Sequence, residues 1–344
     1  DVYKRQTYRA TYELEDGERR RYILQRINEN VFKDPLAVMR NVECVTSHIN
    51  WKVLRKKRDL GGQTLSLYPH KTGRFYGHGE RGGIWRCYNY FEGCQTYDVV
   101  ETTRQAYEAG HAFGAFQDLV SDLPPGEIVE TIPDFHNTKK RFEGLMKAVE
   151  QDRLGRVASV QGELEFVRRN EEVVGRLLEL VERGLLPIRI THNDTKINNV
   201  LFDQETDEAV CVIDLDTVMP GLSLYDFGDL VRTATNPAAE DERDLTKVRL
   251  RARVFESLVE GYLASAGRVL TNEEVSQMAF SGRLISLELG IRFLTDHLNG
   301  DEYFRVNREG QNLDRARTQL CLAEQIAESE EEMKRYVFKV ARAR

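Results

Sequence analysis

The chain has 344 residues, a formal net charge of −7 and five scattered cysteines. The acidic balance argues against a nucleic-acid partner, and the lack of both a secretory apolar region and a membrane-length apolar run argues against a membrane partner. We expect a cytoplasmic protein with reduced thiols that is long enough to form two lobes.

The first residues do not look native. The chain lacks an initiator Met, and the stretch 1–6 resembles translated adapter sequence at a broken end. We therefore expect native sequence to begin near Thr7.

Two β-strands are predicted at 7–13 and 19–27, joined by a turn that contains Glu15, Asp16 and Gly17. Side chains alternate between the two faces of a strand. In the second predicted strand, one face therefore carries Tyr22, Leu24 and Arg26, and the other carries Ile23, Gln25 and Ile27.

A helix and two more strands complete the predicted small lobe, residues 1–92. Asp34 and Pro35 are typical of a helix start, with Asp34 as the N-cap. Strands are predicted at 63–69 and 84–91, with the glycine-rich stretch 77–83 between them. This stretch lacks the Lys-Ser/Thr ending of a phosphate-binding loop, so we interpret it as a hairpin loop.

The remaining residues, 93–344, form a predicted helical large lobe. Helical spacing of apolar residues supports this prediction, and another helix is expected to open at Tyr225. The predicted helices cover 99–123, 141–152, 164–183, 248–266, 272–298 and 312–335.

One motif in this lobe indicates chemistry. Asp194, Asn199 and Asp214 lie between β-prone apolar segments, and the polar stretch 203–208 predicts a hairpin that brings Asn199 near Asp214. Kinases use one carboxylate to accept the hydroxyl proton, and an amide and a second carboxylate to hold Mg²⁺. Asn199 and Asp214 offer oxygen ligands, which suit Mg²⁺ rather than zinc.

Alternatives exist for single residues of this motif. Asp194 could cap a turn and Asp214 could end a strand, but these roles leave the joint spacing unexplained. Asp216 could assist a second metal ion or cap the following loop, and His192 is expected to hold the loop by hydrogen bonds. We therefore assign Asp194 as the catalytic base, and Asn199 and Asp214 as the magnesium ligands.

The segment 191–203 resembles the catalytic loop of the aminoglycoside phosphotransferase and choline kinase superfamily, and its wording is similar to that of N-acetylhexosamine 1-kinases. The stretches 22–28, 132–138 and 292–296 carry the same resemblance, which extends from about Thr7 to about Glu332. It implies an α+β, two-lobe protein-kinase-like fold. It also implies ATP-dependent phosphorylation of the anomeric hydroxyl of N-acetylglucosamine or N-acetylgalactosamine. The family's glycine-containing phosphate loop would precede Thr7, and we expect it to be missing here.

In the small lobe, the kinase interpretation predicts an ATP site. Kinases place a phosphate-binding cation on the strand that carries Gln25 and Arg26, and Arg26 is favoured because it is charged. Glu43 on the following helix could pair with Arg26, although both could be surface charges. Residues 89–91, namely Asn89, Tyr90 and Phe91, are predicted to form the hinge against adenine, with ordinary packing as the alternative.

In the large lobe, the resemblance implies that Arg292 and Tyr303 contact the sugar together with Asp194. A guanidinium and a phenol can hydrogen-bond hydroxyl or acetamido oxygens. The structural alternative pairs Arg292 with Asp296, four residues later on the same helix.

Two rival functions remain open at this stage. The chain could be a kinase of another small hydroxyl compound, such as choline, methylthioribose, homoserine or an aminoglycoside. It could also be a non-catalytic binding protein with a kinase-like fold. A choline site would need aromatic caging, and an aminoglycoside site would need a dense acidic lining.

Overall fold

The small lobe begins with two long antiparallel strands. In the computed structural model, which describes residues 6–13, 17–56, 64–80 and 82–343, β1 (Thr7–Glu13) pairs with β2 (Arg19–Arg26) along its whole length. Both predicted strands are confirmed. Of the suspected adapter residues 1–6, residues 1–5 lie outside the described ranges, as do the turn residues Glu15 and Asp16.

Helix α1 (Pro35–Lys56) follows β2 and packs beneath the sheet. The Asp34 carboxylate accepts a hydrogen bond from the Ala37 backbone N–H at 2.9 Å, which confirms the predicted N-cap. Val38, Val42 and other apolar residues of this helix are fully buried, because helical spacing places them on one face.

The sheet is completed by β3 (Leu67–Tyr68), β4 (Gly77–His78) and β5 (Ile84–Asn89). Strand order is β1-β2-β5-β3, with β4 also paired to β5, and all pairs are antiparallel. The strand predicted at 63–69 is shorter than expected, and Gln63 lies outside the described ranges. As predicted, the described residues of the glycine-rich stretch belong to a hairpin between β4 and β5, since the Gly79 N–H donates to the Gly83 carbonyl at 3.1 Å.

Short strands carry the catalytic motif in the large lobe. They are β6 (Cys94–Gln95), β7 (Arg189–Thr191), β8 (Val200–Asp203), β9 (Ala209–Val212) and β10 (Met219–Gly221). The predicted hairpin is formed by β8 and β9, while β10 pairs with β7. The two pairings place the loops after β7 and after β9 next to each other.

Helices form the rest of this lobe. Their bounds are α2 Thr103–Val120, α3 Thr138–Gln151, α4 Gln161–Arg169, α5 Arg176–Glu182, α6 Ser223–Thr235, α7 Ala252–Ala266, α8 Asn272–Asn299 and α9 Gln311–Arg342. The single helix predicted at 164–183 is wrong, because the chain breaks between α4 and α5. Asn170 causes the break: its amide nitrogen donates to the Phe166 carbonyl, and its amide oxygen accepts from Arg283 of α8 at 2.8 Å.

Helix α2 packs closely against α7 and also contributes to the small-lobe core. Gly110 of α2 lies against α7, where a Cβ atom would come within 2.5 Å of the Leu258 carbonyl oxygen. The missing side chain lets the two backbones approach. Phe116 and Val120, near the other end of α2, belong to the small-lobe core together with Leu215, so one apolar cluster joins the lobes.

None of the helices in the described ranges is long and apolar enough to cross a membrane.

Candidate active site

The catalytic loop, residues 192–199, is irregular but firmly anchored. The backbone N–H groups of His192 and Asn193 donate to the two carboxylate oxygens of Asp226 at 2.8 and 2.7 Å. The Thr195 N–H donates to Asp229 at 3.0 Å. Both carboxylates belong to α6, so this one helix anchors the loop. Burial raises the pKa of Asp226 to about 6, although its interactions with His192 and Asn193 act to lower it.

His192 anchors the loop from another side. Its ring lies 5.5 and 5.8 Å from the ring centres of Phe113 and Phe116, and Nε2 is 2.9 Å from the Ile213 carbonyl oxygen. The side chain is fully buried. This placement agrees with the predicted structural role, since no solvent-accessible nitrogen remains for proton exchange with a substrate.

The Asp194 carboxylate lies between a cation and an amide. Lys196 Nζ is 2.9 Å from Oδ1, and Asn199 Nδ2 donates to Oδ2 at 3.1 Å. Burial alone would raise the pKa of Asp194, but the Lys196 ammonium and the amide lower it to about 2. The carboxylate is therefore ionised at neutral pH, and 31% of its side chain is exposed for contact with a hydroxyl.

Asn199 and Asp214 are brought together as predicted. The Ile213 N–H donates to the Asn199 carbonyl at 2.9 Å, which places the next residue, Asp214, beside Asn199. Asp214 has a left-handed φ of 67°, so the chain turns sharply there. The Asn199 amide nitrogen faces Asp194, which leaves the amide oxygen at the opposite end of the group.

This donor set is suitable for magnesium. Across the described ranges, no cluster of three or more His, Cys, Asp or Glu residues could hold a metal ion by itself. Mg²⁺ is commonly bound by one or two protein oxygens that share the ion with phosphates and water. Asn199 and Asp214 would supply these two oxygens, and magnesium itself stays a prediction.

Lys196 is a site residue that sequence analysis missed. Asp194 raises the pKa of the Lys196 ammonium, against the effect of burial, so the side chain stays charged at neutral pH. A cation two residues after the base can neutralise a phosphoryl group. The spacing Asp194-x-Lys196-x-x-Asn199 was visible in the sequence and could have identified it.

Asp216 faces the small lobe rather than a second metal site. Its carboxylate forms an ion pair with the guanidinium of Arg86 on β5, and both side chains are completely buried. Arg86 also donates from Nε and Nη2 to Gln25 Oε1, at 3.2 and 2.8 Å. Arg86 is therefore a small-lobe cation that contacts the turn after Asp214, and sequence analysis did not identify it.

The structure corrects the position expected for Arg26. The predicted alternation along β2 is present, but Gln25, opposite Arg86, is on the face directed at Asp216. Arg26 is on the other face, opposite Trp85 and packed against Gly83. Among the described residues it forms no ion pair with Glu43, which is exposed, so the expected Arg26–Glu43 pair is wrong. Their roles in ATP binding stay predictions without support from this geometry.

The predicted hinge side chains mainly hold the small lobe together. Asn89 accepts from the Ser66 N–H at 2.8 Å and donates to the Thr64 carbonyl at 3.1 Å. The Tyr90 ring lies 5.7 Å from the Arg21 guanidinium, and Phe91 is buried in the small-lobe core. Adenine binding by residues 89–91 stays a prediction.

The Arg292 guanidinium lies among the rings of Phe135, Tyr303 and Phe304, which together we call the aromatic box. The Arg292 guanidinium carbon is 5.4 Å from the Phe135 ring centre, and 6.0 and 5.5 Å from the other two. The alternative pairing with Asp296 is wrong, because that carboxylate accepts the backbone N–H groups of Tyr303 and Phe304, each at 2.8 Å. Within the described ranges Arg292 forms no ion pair, so its N–H groups remain available.

A buried polar cluster supports the aromatic box. Glu288 of α8 is completely buried; His136 Nδ1 lies 2.9 Å from its Oε1, and Thr138 donates to its Oε2 at 2.6 Å. Burial would raise the pKa of Glu288, but His136 and Arg292 lower it below its usual range. The cluster fixes the segment 132–138, which the sequence analysis had noted without assigning a role.

A cavity of about 160 Å³ separates this segment from the catalytic loop. Phe135 and His136 line one side, and Asn193 and Gly221 line the other. The cavity therefore borders the residue before Asp194, and Phe135 contacts both the cavity and Arg292. Within the described ranges, no hydrogen bond or ion pair joins Arg292 to Asp194, so their shared role in sugar binding stays a prediction.

Comparison with known proteins identifies the family. Residues 5–262 match the model of the phosphotransferase enzyme family. This range contains the catalytic loop and the turn that carries Asp214. The chain belongs to this family. The superfamily expected from the sequence is thereby confirmed, while the N-acetylhexosamine branch stays a prediction.

Solved structures confirm the two-lobe, kinase-like α+β fold. An aminoglycoside phosphotransferase from Alicyclobacillus acidocaldarius subsp. acidocaldarius DSM 446 is 12% identical, covers 98% of this chain and 94% of its own, and has a TM-score of 0.63. A microcompartment-associated aminopropanol kinase is 18% identical, with 94% of both chains covered and a TM-score of 0.58. A choline/ethanolamine kinase family protein from Mesorhizobium loti is 14% identical, with 98% and 93% covered and a TM-score of 0.51.

These identities are too low to show more than the fold. The family match is what defines the chain as a phosphotransferase. The acceptor has to be argued from the residues of this chain.

Proposed function

We propose that this protein transfers the γ-phosphoryl group of ATP to the anomeric hydroxyl of N-acetylglucosamine or N-acetylgalactosamine. The observation that carries the proposal is the placement of Asp194 between Lys196 and Asn199, next to a cavity whose wall contacts Arg292. The product would be the sugar 1-phosphate.

The chain's residues would divide the reaction among them. Asp194, ionised at neutral pH, would accept the proton of the anomeric hydroxyl as that oxygen attacks the γ-phosphorus and the bond between this phosphorus and ADP breaks. Lys196 would offset the charge of the transferring group. Asn199 and Asp214 would hold Mg²⁺, which supplies charge neutralisation of the ATP phosphates when bound. Direct in-line transfer needs no covalent intermediate, so positioning accounts for most of the catalysis.

The sugar assignment is supported by the polar groups of the acceptor side. Arg292 keeps free N–H donors in the aromatic box, and an acetamido carbonyl or a ring hydroxyl is a suitable acceptor for them. His136 adds a polar group to the cavity wall, since its Nε2 has no hydrogen-bond partner among the described residues. A neutral, hydroxyl-rich acceptor can use such mixed donors and acceptors.

The same features disfavour two rival acceptors. A quaternary ammonium such as choline needs an aromatic cage, but the rings of the aromatic box already surround the Arg292 cation, which would repel it. A polycationic aminoglycoside needs several free carboxylates. Of the two that line the cavity, Asp134 already pairs with Lys140 at 2.5 Å.

An acceptor panel with product analysis tests the proposal. ATP consumption would be measured with both N-acetylhexosamines, choline, methylthioribose, homoserine and an aminoglycoside. We expect turnover with the N-acetylhexosamines and an acid-labile, non-reducing product. Phosphate on the 6-hydroxyl, or turnover of choline or methylthioribose alone, would overturn the sugar assignment while leaving the kinase assignment in place. Nucleotide binding without any turnover would favour a non-catalytic binding protein.

A further inference from the structure

The buried ion pair between Arg86 and Asp216 joins the two lobes at the candidate active site. Arg86 comes from the small-lobe sheet, and Asp216 comes from the turn that follows Asp214. Both side chains have no exposed surface. Gln25 accepts two hydrogen bonds from the same guanidinium, which fixes its orientation on the sheet.

Folding stability does not explain why both charges of this ion pair are buried. Removing two charges from water is unfavourable, and well-packed apolar residues often replace a buried ion pair without loss of stability. Arg86 Nη1 is also buried and has no hydrogen-bond partner among the described residues, which adds to the unfavourable desolvation. A geometric role in the site would account for retaining both charges.

The turn that contains Asp216 is the candidate metal turn, residues 213–217. Its opposite side is tied to the catalytic loop: Asn193 Nδ2 donates to the Thr217 carbonyl at 2.9 Å, and Thr217 Oγ1 donates to the His192 carbonyl at 2.7 Å. This turn is therefore held on one side by Arg86 of the small lobe and on the other side by the catalytic loop of the large lobe.

We infer that Arg86 is a positioning residue for the metal site, acting through Asp216 to hold Asp214 beside Asn199. This inference rests on the proposed function, because it assumes that Asp214 and Asn199 bind magnesium. It also makes magnesium affinity depend on contact between the lobes, since the two ends of the ion pair belong to different lobes.

Another buried small-lobe cation does not have this position. Lys52 of α1 donates to the carbonyls of Asp118 and Leu119, each at 3.0 Å, and pairs with Asp122 at the end of α2. Lys52 therefore fastens α1 to α2, whereas Arg86 contacts the metal turn.

The test measures metal binding directly. Mn²⁺ binding in the presence of ADP would be followed by electron paramagnetic resonance, beside Mg²⁺ activation of turnover, for wild type and Arg86→Gln. Residues that orient metal ligands typically change metal affinity about 10- to 100-fold when mutated. We expect weakening on this scale in Arg86→Gln, with the sugar KM unchanged. Arg20→Gln, at an exposed position on β2, is the matched control and should leave both metal constants unchanged.

A double variant separates positioning from simple destabilisation. Arg86→Gln alone leaves the Asp216 charge buried, and it could unfold the protein. Arg86→Gln combined with Asp216→Asn removes both charges and should recover thermal stability, but it should keep the weakened Mn²⁺ affinity. A double variant with wild-type metal affinity, or a folded single variant with unchanged affinity, would overturn the inference.

The same measurements keep this inference distinct from the proposed function. If wild type binds Mn²⁺ and ADP, and Arg86→Gln weakens that binding, the inference holds even when none of the tested acceptors is phosphorylated. If wild type does not bind Mn²⁺ with ADP, the proposed function fails, and the inference fails with it.

Discussion

The catalytic loop and the walls of the cleft around it are built in different ways. The loop takes its functional groups from one short stretch, where Asp194, Lys196 and Asn199 contact one another directly. The walls combine distant segments: Arg86 with Asp216, and Arg292 with Phe135. Chemistry encoded in one stretch is visible in sequence, whereas chemistry assembled from distant segments depends on the fold.

Removal of the metal should have the largest effect on activity, and it tests the catalytic loop. Magnesium is expected to neutralise ATP phosphates next to Asn199 and Asp214, so excess chelator should abolish phosphoryl transfer. By calorimetry, Asp214→Ala should weaken binding of Mg·ATP far more than binding of the sugar. Glu205→Ala, in the exposed turn between β8 and β9, is the control. Full activity in excess chelator would remove the metal from the mechanism.

Loss of the base should come next. Asp194→Asn keeps the shape of the side chain but cannot accept the hydroxyl proton, so turnover should fall at least ~100-fold. Folding and nucleotide binding should be nearly unchanged, as checked by thermal melting and ADP titration. An Asn variant with near-normal turnover would show that another group is the base.

The wall side is tested by Arg292. Loss of one buried polar partner costs ~1–3 kcal/mol, so Arg292→Ala should raise the sugar KM about 5- to 150-fold. The ATP KM should change little, and Tyr303→Phe should act in the same direction. Arg268→Ala, at an exposed position between α7 and α8, serves as the control. An unchanged sugar KM would place the acceptor elsewhere in the cleft.

The smallest expected effect is a change in the pH dependence of kcat/KM when Lys196 is replaced. Lys196 is the main group that lowers the pKa of Asp194 to about 2, against the effect of burial. Lys196→Met should therefore raise the pKa of Asp194 and move the acid limb of kcat/KM toward neutral pH. Wild type should show no such limb from Asp194 between about pH 4 and pH 8. Coincident acid limbs would mean that Lys196 does not control the base.

The sequence predicted most elements of the fold for a simple physical reason. Alternation and helical spacing are local, and so is an N-cap such as Asp34, which bonds to a backbone N–H three residues away. The same locality made the catalytic loop and the β8–β9 hairpin predictable. Lys196 was missed although its signal was equally local.

Two of the errors involve long-range partners. The choice between Gln25 and Arg26 depended on which face of β2 meets the metal turn, and the decisive neighbour, Arg86, is 61 residues away. The break at Asn170 is fixed by Arg283, which is 113 residues away. Neither partner can be found from periodicity, because a strand register or a helix crossing has to be known first.

The anchoring of the loop on α6 has a consequence for its motion. The amide hydrogens of His192, Asn193 and Thr195 all donate to buried carboxylates, although this stretch has no ladder or helix bonds of its own. Their exchange with deuterated solvent requires that α6 and the loop separate, so these amides should exchange as slowly as those of a core helix. An irregular segment would then be among the most rigid parts of the enzyme, and Asp226→Asn should make its exchange fast.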